Sequence, residues 1–207
     1  MIQSQIMHDQ ILLRMNLDEY SSIRTGLVLS RKKALPGEIS QIYPSLSLKD
    51  ITEDGQILLT AIENYSAVEE LKEDYFTREG DVLLRLSAPY TAVFITKKES
   101  GLLVPSHFAI IRPKEMIDPR FLRWWLSKKR KVFYKVASGG TMMGTISSGY
   151  VAQIPFEPPS LEKQRKIGEI FELLNREQQL FSLLELKKKQ LIDKLLTNFV
   201  NEKGAII

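Results

Sequence analysis

The C-terminal part of the chain carries the longest continuous pattern of apolar and polar positions. From Ser160 to Lys203 apolar residues return every three or four positions, charged residues fill the places between them, and no proline occurs. This spacing predicts a single amphipathic helix of about 40 residues, which is about 60 Å long at a rise of about 1.5 Å per residue. Because a small domain cannot cover a helix of that length, the pattern also predicts a partner helix.

The apolar positions of this helix fit a heptad repeat, in which the first and fourth positions face a partner. With Ile167 at a first position, most of the first and fourth positions are apolar. We therefore expect these positions to form a dimerisation seam. Its expected members are Ile167, Ile170, Leu174, Glu177, Phe181, Leu184, Lys188, Leu191 and Leu195.

Two charged residues inside the seam suggest how two identical helices would pair. In an antiparallel pair that matches Phe181 with Leu184 of the other copy, Glu177 faces Lys188. A charged pair at such a position sets the register of the helices more than it adds stability. The alternative interpretation is that both side chains extend past the seam into solvent.

The preceding residues, 1–157, contain short runs of β-type residues separated by Gly, Pro and charged turns. The runs predicted as strands are 23–29, the weakly alternating 43–51, 56–62, 82–87, 91–96 and two within 102–113. Residues 82–87 and 91–96 are expected to form a hairpin. The spacing also predicts a short amphipathic helix within residues 1–20, and a longer helix that begins at Asp118-Pro119. The predicted fold class is α+β, with a β-rich domain over residues 1–157 and one long coiled-coil helix over residues 158–203.

Composition narrows the functional classes only slightly. The chain is 43% hydrophobic and 26% charged, and its 29 basic and 25 acidic residues give a net charge of +4, which permits nucleic-acid binding without requiring it. Cysteine is absent, which excludes disulfides and thiolate metal sites and fits a reducing cytoplasm. The segment 1–17 lacks the apolar run of a signal peptide, and no apolar run approaches the length that a membrane-spanning helix needs. We therefore expect a cytoplasmic protein without a membrane span.

No arrangement of residues in the sequence predicts catalysis or cofactor binding. The two histidines, His8 and His107, are far apart, and the acidic residues between Glu69 and Asp81 are typical of a solvated loop region rather than of a paired acid and base. The glycine-rich segment at Gly139 lacks the Lys-Ser/Thr pair that completes a phosphate-binding P-loop. We expect no metal, no cofactor and no enzymatic activity in this chain.

Three basic clusters favour contact with nucleic acid. They are Arg31-Lys32-Lys33, Lys97-Lys98 and Lys128-Lys129-Arg130-Lys131, and they alternate with hydroxyl and aromatic residues. Such side chains position a protein on phosphates, while polar residues on loops read the bases. For any single cluster, a solvated basic surface is an equally good interpretation.

The segment from Ser138 to Leu174 resembles the end of a target-recognition domain in the specificity subunits of type I restriction-modification systems. In that family a glycine-rich loop leads to the pattern I-P-hydrophobic-P-P-L-x-E-Q-x-x-I and then to a long helix. The residues that fit the pattern are Ile154, Pro155, Phe156, Pro158, Pro159, Leu161, Gln164 and Ile167. The sequence departs from it at Glu157 and in having Glu162-Lys163-Gln164 in place of Glu-Gln.

Shorter segments resemble the same family over about residues 20–200. They are Ile23-Arg24-Thr25-Gly26 at the start of the domain, Gly80-Asp81-Val82-Leu83 at a strand entry and Pro119-Arg120-Phe121-Leu122 at a helix. A full specificity subunit has two recognition domains and two antiparallel helices, whereas this chain has one of each. The resemblance therefore implies a half-subunit that pairs with itself or with another half. Such a pair would read a bipartite, inverted-repeat site on double-stranded DNA, with methyltransferase and nuclease chemistry in other subunits.

Loop position and chemistry, rather than the resemblance, select the residues that we expect to face DNA, because recognition loops vary within the family. The expected residues are Arg31, Lys32, Lys33, Arg85, Tyr90, Lys97, Lys98, Thr141 and Met142.

Three other functions remain open from the sequence. A coiled-coil scaffold that binds proteins and no nucleic acid would expose aromatic residues on its domain, for which Trp124 and Trp125 are candidates, although tryptophans on a helix more often pack in a core. A decoy half-subunit could join a restriction complex and alter its specificity. A hydrolase with a scattered carboxylate site is the least favoured.

Overall fold

Four antiparallel strands form the main sheet of the protein. The computed structural model describes residues 15–35, 37–139 and 144–203. The strands β1 (Ser21–Thr25), β6 (Phe108–Pro113), β4 (Val82–Arg85) and β5 (Ala92–Phe94) lie side by side in that order. The predicted hairpin is confirmed, because β4 and β5 pair directly with Val82 opposite Phe94.

Both faces of this sheet are buried, which explains why its strands read as continuous apolar runs rather than as alternating ones. Val82 and Leu84 face a core shared with the helices, whereas Leu83 faces a second core beneath residues 46–51 and the loop that follows β5. The alternation of side chains along a strand assigns neighbouring apolar residues to the two cores.

A second, two-stranded sheet consists of β2 (Gln41–Ser45) and β3 (Glu63–Ala67). The predicted strand at residues 56–62 is wrong, because this segment contains the short 3₁₀ helix Leu59–Ala61 and the strand follows it. The prediction relied on the apolar residues of this segment, but Leu58 and Leu59 are exposed rather than packed in a sheet. In β3, by contrast, Tyr65 and Ala67 alternate into a small third core with Leu103. Further 3₁₀ helices span Leu29–Arg31, Leu48–Asp50, Glu73–Tyr75 and Lys97–Glu99.

Helices cover one face of the main sheet. They are α1 (Leu17–Tyr20), α2 (Pro119–Lys128), α3 (Arg130–Gly139) and α4 (Ser148–Ala152). The start of α2 is as predicted, since the Asp118 carboxylate accepts hydrogen bonds from the amides of Arg120 and Phe121 at 2.9 and 3.0 Å. The expected single helix is instead two helices that meet at Lys129, and nothing in the sequence marks this break. Most of the amphipathic helix predicted within residues 1–20 lies outside the described residues.

The long C-terminal helix is confirmed as α5 (Leu161–Lys203), with 43 residues and a length of about 65 Å. By its contacts the chain divides into a first unit, Met1–Gly168, and a second unit, Glu169–Ile207. The first two turns of α5 thus belong to the first unit, well beyond the predicted boundary between residues 157 and 158. Ile167 packs against the core of this unit, so its assignment to the dimerisation seam is corrected.

Gln164 and Gly168 explain why the start of α5 lies against α2. The side-chain oxygen of buried Gln164 accepts a hydrogen bond from the Asp118 amide at 3.0 Å, and its amide donates to the carbonyls of Met116 and Pro159. Gly168 lies so close to α2 that a Cβ atom there would be 2.9 Å from the Cβ atom of Arg120. The glutamine of the motif therefore satisfies three backbone groups at once.

Candidate nucleic-acid interface

The predicted DNA-facing residues lie in three separate places. Arg31 and Lys33 are exposed beside the second sheet, where Lys33 forms a backbone bridge with Ala67. Lys32 forms an ion pair with Glu69, which reduces the positive charge that this cluster presents. This first cluster is therefore only partly available to phosphates.

Arg85 and the Lys97-Lys98 pair lie at opposite ends of the β4–β5 hairpin. Arg85 ends β4 at the turn, where its guanidinium donates to the Ser87 hydroxyl at 3.3 Å. Lys97 and Lys98 follow the far end of β5, in an exposed 3₁₀ helix that Thr96 caps. A strand advances about 3.3 Å per residue, so the hairpin keeps these cations well apart.

Tyr90 is a correction to the prediction, because it is only 1% exposed and cannot lie on a DNA-facing surface. Its position in the turn suggested exposure, but its ring packs against those of Phe133 and Tyr134, and its hydroxyl donates to the Gly144 carbonyl at 2.9 Å. Burial also raises the pKa of its phenol. Thr141 and Met142 lie outside the described residues.

A cleft of about 340 Å³ lies at the turn end of the main sheet, beyond the end of β1 and beside the start of α4. Six of its nine lining residues carry hydroxyl groups, and His107 lies exposed at its edge. Leu86 and Ile146, both nearly buried, form its apolar part. The hydroxyl-bearing residues are Thr25, Ser87, Ser106, Thr145, Ser147 and Ser148. We call this site the hydroxyl cleft.

Residues 119–156, which form part of this cleft, have a charge pattern that the three basic clusters alone do not reveal. Residues 119–156 include seven Lys or Arg residues and no Asp or Glu, so the rest of the chain has 22 basic and 25 acidic residues. The positive surplus of the whole protein thus resides in this one segment. Of its cations, Arg123 is buried, Arg120 pairs with Asp118, and Lys129 lies over the ring of Trp125. Lys128, Lys131 and Lys135 are exposed.

Elsewhere in the first unit, arginines are held by carboxylates. Asp74 forms ion pairs with Arg24 at 2.5 Å and with Arg112 at 3.4 Å, and Arg112 also reaches Asp81 at 3.1 Å. The hydrogen bond from Arg24 lowers the pKa of Asp74, whereas burial raises the pKa of Asp81 against the opposing effect of Arg112. These cations connect β1 and β6 to the loop before β4 and thus have a structural role.

Trp124 and Trp125 do not form an exposed aromatic patch. Both are half-buried against the helix-side core, where Trp124 packs on Phe121 and Trp125 meets Phe156 edge-on at 4.7 Å. The structure therefore supports the interpretation of these tryptophans as core residues.

Beyond Gly168 the long helix leaves a broad set of apolar side chains exposed. The predicted seam residues from Ile170 onward are all among the exposed positions, as are Glu177 and Lys188. The exposed apolar surface of α5 is wider than the predicted seam. The further exposed residues are Leu173, Leu180, Leu183, Leu186, Ile192, Leu196, Phe199 and Val200. Contiguous apolar surface of this kind marks a site of interaction.

Within the described ranges, no group of His, Asp and Glu side chains is arranged to hold a metal ion, and no helix is long and apolar enough to cross a membrane. The fold and its surfaces define the class of the protein: an α+β domain that continues into one long amphipathic helix with exposed apolar residues. Residues 17–195 match the family described as the type I restriction modification DNA specificity domain, which is most of the chain. The protein belongs to this family.

Solved structures share the fold. One, from a study of complex assembly and conformational transition of the type I restriction-modification system, matches with a TM-score of 0.57 at 18% identity and covers 82% of this chain. The HsdS subunit from Thermoanaerobacter tengcongensis matches with a TM-score of 0.55 at 17% identity over 79% of this chain. The present chain spans only 39% and 37% of those two chains, respectively. A comparison with curated proteins found no significant match.

Proposed function

We propose that this chain is a half-length specificity subunit that recognises a DNA sequence and has no catalytic role of its own. The observation that carries the proposal is the family match over residues 17–195, which includes both the domain and most of α5. The same family membership supports a role in which other subunits supply methyltransferase and nuclease chemistry.

Two copies of the chain are proposed to form the functional unit. In this pair each copy contributes one recognition domain and one long helix. The exposed apolar residues of α5 support pairing through this helix, and the Glu177–Lys188 match favours the antiparallel register with Phe181 opposite Leu184. A symmetric pair of this kind reads two half-sites in inverted orientation, and the paired helices fix the distance between them.

The exposed apolar residues outside the seam support a further role for α5. Leu173 and Leu180 flank the seam on one side, and a two-helix contact leaves them accessible. We assign this flank to the docking of modification subunits. The same observation favours the second candidate function, a scaffold that binds proteins and no nucleic acid.

Fluorescence anisotropy of the full chain with a labelled duplex of random sequence separates the two functions. The specificity-subunit proposal predicts binding that weakens as salt rises, because Lys and Arg contacts release counterions from the duplex. The scaffold predicts no binding at any salt concentration. Absence of binding at low salt would overturn the proposal that this chain itself contacts DNA.

A further inference from the structure

We propose that the hydroxyl cleft and the exposed face of α3 together form the surface that reads DNA, with the cleft at the base edges and Lys131 and Lys135 on the phosphates. The inference rests on the proposed function and names the residues that carry it. Four observations support it: the local charge, the direction of α3, its connection to the cleft and the chemistry of the lining side chains.

Charge distinguishes this part of the surface from the rest of the domain. The segments that line the cleft belong to stretches without any carboxylate, namely residues 20–37, 82–98, 100–114 and 119–156. A second cavity, of about 380 Å³, is lined by the carboxylates of Glu79, Asp81 and Glu115 and by the cations Arg78, Arg112 and Lys114. Because carboxylates repel phosphates, the cleft that has none in its lining suits a duplex better than the second cavity does.

The direction of α3 places its lysines away from the core. Phe133 and Ala137 are buried, whereas Lys131, Lys135 and Ser138 follow one another on the opposite, exposed side. Among the described residues, neither lysine forms an ion pair. Unpaired, exposed ammonium groups at this spacing suit successive phosphates of one strand.

Ring contacts connect α3 to both walls of the cleft. Tyr134 meets Tyr90 edge-on at 4.9 Å, and Tyr90 bonds to the Gly144 carbonyl just before Thr145. Phe133 meets Tyr150 in α4 at 6.5 Å, close to Ser148. The lysine-bearing helix and the cleft are therefore neighbours in the fold.

The lining of the cleft suits base edges. A hydroxyl both donates and accepts hydrogen bonds, which matches either type of group on a base. Thr25 and Ser148 already bond to each other at 2.6 Å, and Ser87 and Ser147 accept from the Arg85 guanidinium and the Tyr150 amide. Ser106, Thr145 and the His107 ring are therefore the lining side chains that we assign to base edges. Leu86 and Ile146 supply an apolar patch of the kind that contacts a thymine methyl group.

The first test compares two double variants that remove the same charge from exposed lysines. Lys131→Ala/Lys135→Ala is expected to weaken binding of the full chain to a labelled random duplex roughly tenfold at low salt. The slope of the logarithm of the binding constant against the logarithm of the salt concentration should become shallower by roughly 2. The matched control, Lys72→Ala/Lys163→Ala, removes two exposed lysines outside every predicted DNA-facing cluster and is expected to leave both values unchanged. Thermal melts of both variants should match the wild type.

The outcomes separate this inference from the proposed function. Binding by the wild type together with unchanged binding by the α3 variant overturns the inference alone. So does a loss of binding that occurs with the control variant and not with the α3 variant. If the wild-type protein does not bind the duplex, both the proposed function and this inference are overturned.

A second test addresses the cleft. His107→Ala is expected to retain affinity for random DNA within about twofold, but to lose roughly tenfold discrimination at one or two positions when sequences are selected from a random duplex pool. His107 is exposed, so this variant keeps the fold. Unchanged base preference in both His107→Ala and Ser106→Ala overturns the assignment of the cleft to base reading.

Discussion

The first unit and the distal part of the long helix differ in where their apolar residues lie. Leu83, Leu84 and Ile110 in the main sheet have no exposed surface, whereas Leu174 and Leu184 in α5 are 56% and 49% exposed. The first unit buries most apolar residues of its main sheet, although others on its surface, such as Ile39 and Met116, are exposed. The helix beyond Gly168 carries many apolar side chains that remain exposed, so we expect it to need a partner for stability.

The largest expected effect is loss of the dimer through a substitution in the long helix. Leu184→Asp places a charge opposite Phe181 of the second copy at two symmetric sites, and at roughly 1.5 kcal/mol per site it raises the dissociation constant of the dimer about 100-fold. Light scattering of the full chain should change from twice the 23.8 kDa chain mass to the chain mass. The melting transition of the first unit should persist.

Leu186→Asp is the matched control, because Leu186 is 51% exposed but lies outside the predicted seam. We expect it to remain a dimer. Equal dissociation by both variants would show that general apolar contact, rather than the heptad seam, holds the copies together.

Gln164→Leu tests the stability of the first unit. The substitution leaves the Asp118 amide and two carbonyls without their partner in a buried place, which lowers the free energy of unfolding by about 2–3 kcal/mol and Tm by roughly 5–10 °C. Calorimetry measures this change, and the dimer constant should be unaffected at a temperature where the first unit is folded. Gln190→Leu, at an exposed position of the same helix, is the control and should leave the first-unit Tm unchanged.

Exchanging the charges of Glu177 and Lys188 tests the register of the predicted seam. Glu177→Lys and Lys188→Glu each place like charges opposite one another and should weaken the dimer several-fold, at roughly 0.2–1 kcal/mol per pair, and the double variant should restore it. Sedimentation equilibrium gives the constants. If neither single variant changes the constant, both side chains extend into solvent and another register is possible.

The smallest expected effect concerns pH and the first unit. Because Arg24 lowers the pKa of Asp74, the ionised carboxylate favours the folded state, and this contribution is present above the ordinary Asp pKa and lost as pH falls through the lowered value. Asp74→Asn should therefore reduce Tm slightly at pH 7, and the difference from wild type should shrink at pH below about 4. A difference that stays constant down to low pH would contradict this account of Asp74.

Much of the fold was predictable because it depends on local pattern. The β4–β5 hairpin, the capped start of α2 and the length of α5 all follow from the spacing of apolar residues and from turn or cap residues. The true position of β3 and the break at Lys129 were not predictable in this way, since they depend on which segments find partners in space.

The candidate site was harder to predict for the same reason. Tyr90 occupies a turn but is buried by rings from α3, a helix that lies much later in the chain. Ile167 fits the heptad, yet the contacts of Gln164 and Gly168 turn it toward the first unit. The absence of carboxylates from residues 119–156 is visible in the sequence, and it would have indicated this part of the candidate site.

The most direct test of the central claim, that two copies of this chain read DNA as a pair, is selection of bound sequences from a random duplex pool with the full-length protein. The account predicts enrichment of one short element present twice, in inverted orientation and at a fixed spacing. Enrichment of a single unrepeated element, or of no sequence above the starting pool, would contradict it.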